Sequence, residues 1–122
     1  MPSELEEGAA LFDAGRFWDA HEAWERAWRR LPKGSDERRL YQGLILLAAA
    51  LLHRDRARTA PERSTRPALR CYRSAMEKLE GLPDQTRGID LAALRREAAG
   101  CFEPLAEGRD EAGWPPPPAL GI

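Results

Sequence analysis

The chain has 122 residues, 43% of them hydrophobic and 32% charged, which suits one folded domain and excludes a disordered polyelectrolyte. Its net charge of −1 offers no overall attraction to nucleic acid or anionic lipid. The longest apolar run, Leu44 to Leu52, reaches only nine residues, about half of the ~20 that a bilayer helix needs, so no membrane association is expected.

The acidic start, Met1 to Glu7, lacks the basic region, apolar stretch and cleavage site of a secretory signal, and a cytoplasmic location follows as the expectation. Ser3 and Glu6 form a capping-box pattern ahead of Leu5, Ala9 and Phe12, so a first helix is predicted over Glu4 to Asp13. A second is predicted from Arg16 to Arg30, where Phe17, His21, Trp24 and Trp28 make one inward stripe. Leu31-Pro32-Lys33-Gly34 stops it, and Ser35 or Asp36 can cap a third helix that runs to about Arg54. An arginine-rich loop is expected from Arg54 to Thr65, with Thr65 capping a fourth helix and Pro67 in its first turn.

Leu69, Tyr72, Ala75, Met76 and Leu79 supply the buried face of that helix, which Gly81-Leu82-Pro83 ends. Asp90 can cap a fifth helix carrying Leu91, Leu94, Ala98, Cys101 and Phe102 before Pro104 interrupts it. Trp114 to Pro118 reads as extended polyproline II. No segment alternates with period two, so no sheet is expected. The reading is an all-α bundle of about five helices, two antiparallel hairpins plus a C-terminal helix, in one domain over residues 1–107, with an extended Pro-rich tail over 108–122. Cys71 and Cys101, thirty residues apart and outside any CxxC pattern, read as reduced, buried thiols.

One constellation carries chemistry. His21-Glu22-Ala23-Trp24-Glu25 resembles the zinc-protease helix with Glu25 in place of the second histidine. A carboxylate is a legitimate ligand, and the four-residue spacing puts His21 and Glu25 ~40° apart on one helix face. Glu22 is rotated ~100° from His21 and is expected to point elsewhere. Counting outward from the turn near Lys33 sets Glu25 level with Gln42 and His21 level with Leu46. A Glu25 to Gln42 hydrogen bond follows from that count. His53 falls level with Asp13 or Ala14, ~10 Å of helix rise from His21, so its joining a metal site requires the helices to slide or cross steeply. Beside the metal reading stands a structural one, in which His21, Glu22, Glu25 and Gln42 are a polar cluster that fixes packing.

Ala20, Trp24, Ala27, Trp28 and Pro32 are echoed in order by Ala68, Tyr72, Ala75, Met76 and Pro83, and residues 1–34 resemble one tetratricopeptide repeat. More specifically, Phe12-x-x-Gly15-x-Phe17-x-x-Ala20-His21-x-x-x-Glu25-x-x-Trp28, then Gln42-Gly43-Leu44-Ile45 and Ala48-Ala49-Ala50-x-x-His53, resembles the bacterial and archaeal domain of unknown function 309 over roughly residues 8–80. The resemblance implies a compact helical bundle without an assigned reaction, and a metal-binding role for His21 and Glu25. Leu46 stands where many members have a second glutamine.

Two functions from different classes follow. One is an interaction or scaffold module with a structural His/Glu/Gln cluster, meeting a protein partner or a second copy of the chain through Trp18, Arg56, Arg58 and Arg63. The other is a divalent-metal protein, with zinc, manganese or iron on His21 and Glu25 assisted by His53 or Glu22, able to serve as a hydrolase. Arg54 to Arg73 carries seven arginines against Asp55 and Glu62. No aromatic but the core-facing Tyr72 interleaves with them, so nucleic acid ranks last among the partners.

Overall fold

The computed structural model describes residues 3–108 and 115–122. It contains five helices, α1 Glu4–Asp13, α2 Phe17–Trp28, α3 Asp36–Ala57, α4 Pro61–Leu79 and α5 Leu91–Ala106. The chain is all-α as expected, apart from two two-residue strands, β1 Gln85–Thr86 and β2 Ile89–Asp90, that pair antiparallel. None of the helices is long and apolar enough to cross a membrane.

Capping sets three of the helix starts. Ser3 accepts from the amide of Glu6, Ser35 from that of Arg38 and Asp90 from that of Ala93, each satisfying a donor the first turn leaves open. Gly15, at φ 79°, turns the chain between α1 and α2 in a conformation that side-chain-bearing residues rarely adopt.

Each helix packs on the one before it, and the pairings run in opposite directions. Glu4 meets Arg30, Trp24 reaches Leu5 and Phe12 meets Phe17 edge-on, so α1 and α2 are antiparallel. Trp28 under Arg38, and His21 and Glu25 beside Gln42 and Leu46, give α2 and α3 the same relation. Along α3 and α4, the backbones close in at Gly43, where an added Cβ would fall 2.5 Å from Cδ2 of the buried Leu79. One apolar core joins all five helices, with Phe12, Trp24, Leu44, Leu51, Leu79 and Phe102 among its fully buried side chains.

Three expectations need correction. The fourth helix begins at Pro61 rather than after Thr65, and Pro67 lies inside it. Pro61 takes the first turn, where a missing N–H costs nothing, and the long seam with α3 holds the helix despite the bond lost at Pro67. Pro104 likewise sits inside α5, which continues to Ala106. The sheet that the sequence does not announce is a hairpin closed by Arg87 and Gly88, both at positive φ (53° and 82°), as a tight two-residue turn requires.

Of the tail, Trp114 lies outside the described residues. Residues 115–122 have no regular secondary structure and lie against the helices. Arg54, buried on α3, donates to the Pro115 carbonyl, and Cys101 Sγ donates to the Pro116 carbonyl at 3.3 Å. Asp13 accepts from the amides of Leu120 and Gly121 at 2.7 and 3.0 Å, and the Leu120 side chain enters the core.

Candidate functional site

The α2/α3 seam is the place where polar chemistry gathers. Phe17, Ala20, Trp24 and Ala27 bury one stripe of α2, and the residues at its edge, His21, Glu25 and Trp28, are left half-buried against α3. They line a cleft of about 230 Å³ with Gln42, Ile45 and Leu46 opposite. The residues that the count sets level, Glu25 with Gln42 and His21 with Leu46, share this cleft. Gln42 faces the cleft, but no hydrogen bond joins it to Glu25 among the described residues.

Nδ1 of His21 is shielded from solvent and has no hydrogen-bond partner among the described residues. Its nearest acids are Glu25 Oε2 at 3.4 Å and Glu22 Oε1 at 3.5 Å, both beyond the ~2.7–3.2 Å of an N–H···O bond. One donor atom from each of His21, Glu22 and Glu25 lies within 4.8 Å of the others, the metal-competent group found among the described residues. Glu22 therefore does not point elsewhere. Its long side chain brings a carboxylate oxygen to 3.5 Å from the imidazole although it stays half exposed.

Neighbours fix these donors. Arg29 Nη2 donates to the other oxygen of Glu25 at 2.9 Å, one helical turn on, which leaves Oε2 towards His21. Trp18 stacks on the imidazole with ring centres 5.5 Å apart and planes within 3°. Trp28, which shares the cleft, lies under the Arg38 guanidinium at 4.1 Å, and its Nε1 also lacks a hydrogen-bond partner.

His53 is not a member of the donor group. It does sit nearer His21 than the count suggests, because both line a second pocket of about 260 Å³ with Phe17, Trp18, Ala49, Leu52 and Arg56. Side chains lean towards the N-terminus of their own helix, and on antiparallel helices those leans are opposed, which draws His53 and His21 together. Burial, then Arg56 and Arg70, lower the His53 pKa below its usual 6.5. Trp18 is 57% exposed, the one large apolar side chain so open among the described residues. Arg56 shares its pocket, whereas Arg58 and Arg63 lie further along, at the end of α3 and the start of α4. No sequence signal placed Arg29, whose role depends on which Glu25 oxygen is free.

Both thiols are free. Burial raises the pKa of each, so neither is an activated nucleophile.

No curated protein matches the chain. The domain of unknown function 309 matches it over residues 5–63. Among solved structures, it resembles a conserved hypothetical protein from Thermus thermophilus at 40% identity, covering 87% of this chain and 99% of that one, with a TM-score of 0.64. With that identity over nearly the whole of a relative, and the family match across α1 to α3, the chain belongs to the domain of unknown function 309 family.

Proposed function

We propose that the α2/α3 cleft binds a divalent cation through His21, Glu25 and Glu22. The observation that carries this reading is the spacing of the donors. Ligands at ~2.0–2.1 Å from a tetrahedral ion stand roughly 3.3 Å apart. The 3.4 and 3.5 Å separations from His21 Nδ1 match that edge and are too long for good hydrogen bonds. The donor chemistry also fits, since one imidazole and two carboxylates suit zinc, manganese or iron. A bound divalent ion would supply a Lewis-acid centre. The protein's own contribution is orientation and a partly apolar wall. Arg29 holds one Glu25 oxygen, Trp18 holds the imidazole plane, and Trp28, Ile45 and Leu46 wall the cleft. Gln42 faces the donors from α3, where its amide can meet a group bound beside the ion.

Calorimetric titration of chelator-treated protein with Zn²⁺ and Mn²⁺ tests this. One equivalent should bind to the wild type and to His53→Ala, and not to His21→Ala or Glu25→Ala. Equal binding by all four proteins, or by none, would remove the reading.

A second reading, an interaction module, is favoured by Trp18. An indole 57% exposed on an otherwise buried aromatic helix is a usual anchor for a partner. Its test is whether Trp18→Ala, with an unchanged melting temperature, loses what the wild-type protein captures.

A further inference from the structure

Many arginines of this chain are held by the fold: Arg38, Arg39 and Arg54 donate to backbone carbonyls, and Arg63 lies 3.9 Å from Glu62. Arg16, Arg26, Arg29, Arg30, Arg87 and Arg95 each meet a carboxylate of another element or turn. Arg56 on α3 and Arg66, Arg70 and Arg73 on α4 meet none among the described residues. All four are exposed. Arg66, Arg70 and Arg73 line a single surface depression with Ser74 and Glu77. Arg56 and Arg70 both act on His53, which ties the α4 row to the pocket holding Trp18.

The sequence alone argues against nucleic acid because no free aromatic interleaves with these arginines. The fold supplies one from another helix. Trp18 has one face on His21 and most of its surface in solvent, and it shares its pocket with Arg56. A flat, open indole beside a row of unpaired guanidinium groups is what a single strand needs. The indole stacks a base of any identity, and the cations track the phosphates. Arg66 to Arg73 spans ~10 Å of helix, the length of about three stacked nucleotides at ~3.4 Å each. Arginine also presents a planar fork that matches phosphate oxygens. An acidic peptide would satisfy the charges but has no requirement for the stacking platform.

We infer that the face formed by Trp18, Arg56, Arg66, Arg70 and Arg73 binds single-stranded nucleic acid, one base stacking on the free side of the Trp18 indole and the phosphates following α4. This rests on the reading of the Trp18 surface as an interaction face, and names its partner. Glu77 also lines the depression, and its carboxylate disfavours a phosphate at its own position.

Fluorescence anisotropy of a labelled 12-nucleotide single strand at 50 mM salt provides the test. Binding is expected, and it should weaken by roughly 20- to 50-fold at 200 mM salt if three to four phosphates are neutralised. Trp18→Ala should weaken it ~5- to 150-fold, the range found for loss of one stacked base. Arg70→Gln should weaken it and flatten the salt dependence, while Arg96→Gln, an exposed change on α5, should leave it intact. No binding would overturn the inference. So would equal binding by Trp18→Ala, or competition by AMP or a duplex as effective as by the unlabelled strand. A Trp18-dependent protein partner that survives nuclease treatment would keep the interaction face and remove nucleic acid from it.

Discussion

A Cβ placed on Gly8 would fall 2.2 Å from Nε1 of Trp24, the atom that donates to the Leu5 carbonyl at 3.1 Å. The indole is fully buried and crosses α1 at the only kind of residue that leaves room for it. Gly8→Ala would gain up to ~1 kcal/mol of helix propensity. Against that stand overpacking of a rigid ring, ~1–3 kcal/mol, and loss of a buried hydrogen bond, ~1 kcal/mol. The clash wins, and chemical denaturation should show a net loss of ~1–3 kcal/mol. A midpoint equal to or above that of the wild type would contradict this close approach.

Gly8 also marks how much the sequence disclosed. Periodicity located α2, and caps helped to locate α1, α3 and α5, because Ser3, Ser35 and Asp90 each announce a first turn chemically. The start of α4 was hidden because the sequence holds two prolines, Pro61 and Pro67, either of which could occupy a first turn. The arginines between them look like a loop until α3 is there to pack against. At the candidate site, helix spacing gave His21 with Glu25 and the level of Gln42. It could not give Glu22, whose position depends on side-chain rotamer rather than on helical angle, nor the proximity of His53. Trp18 and Arg70 are far apart in the chain, and the packing of α2, α3 and α4 brings the influence of Arg70 to His53, in the pocket that Trp18 lines.

The tail is held by particular atoms, and its release should be measurable residue by residue. Asp13→Ala removes the acceptor for the Leu120 and Gly121 amides. Charge-assisted bonds of this kind contribute ~1.5–3 kcal/mol when sheltered, and at the exposed Asp13 about 1 kcal/mol is expected. Hydrogen exchange of those two amides should accelerate strongly while the amides of α3 stay protected. Arg54→Ala should be more damaging, because it removes a fully buried side chain as well as the donor to the Pro115 carbonyl. Exchange at Leu120 unchanged in Asp13→Ala would mean that burial of its side chain alone fastens the tail.

Thiol labelling should distinguish the cysteines. Burial raises both pKa values, partly offset by Arg70 at Cys71 and by Arg54 at Cys101. Cys101 is buried and bonded to the tail, whereas Cys71 is partly exposed. At pH 8, a disulfide reagent should modify Cys71 first, more slowly than a free thiol, and Cys101 only on local opening. Asp13→Ala should speed Cys101 selectively if the tail is its cover. Simultaneous, rapid labelling of both would show that neither is sheltered.

His53 gives the molecule a pH dependence whose sign follows from its surroundings. Burial disfavours the imidazolium, and Arg56 from its own helix and Arg70 from α4 repel it, with His21 of α2 lining the same pocket. The folded pKa therefore lies below the unfolded value of 6.5, so between the two the unfolded chain binds more protons. Stability falls as pH drops through 6.5 and levels off below the folded pKa, while above 6.5 this residue has no effect. His53→Gln should flatten that part of the stability profile, and an NMR titration of the wild type should report a His53 pKa under 6.5. Arg70→Gln should raise it by removing one of the two repelling charges. A polyanion seated on Arg56 and Arg70 should raise it too, because phosphate screens the same charges that depress it. A wild-type value at or above 6.5 would mean that the ring is neither buried nor flanked by these guanidinium groups in solution.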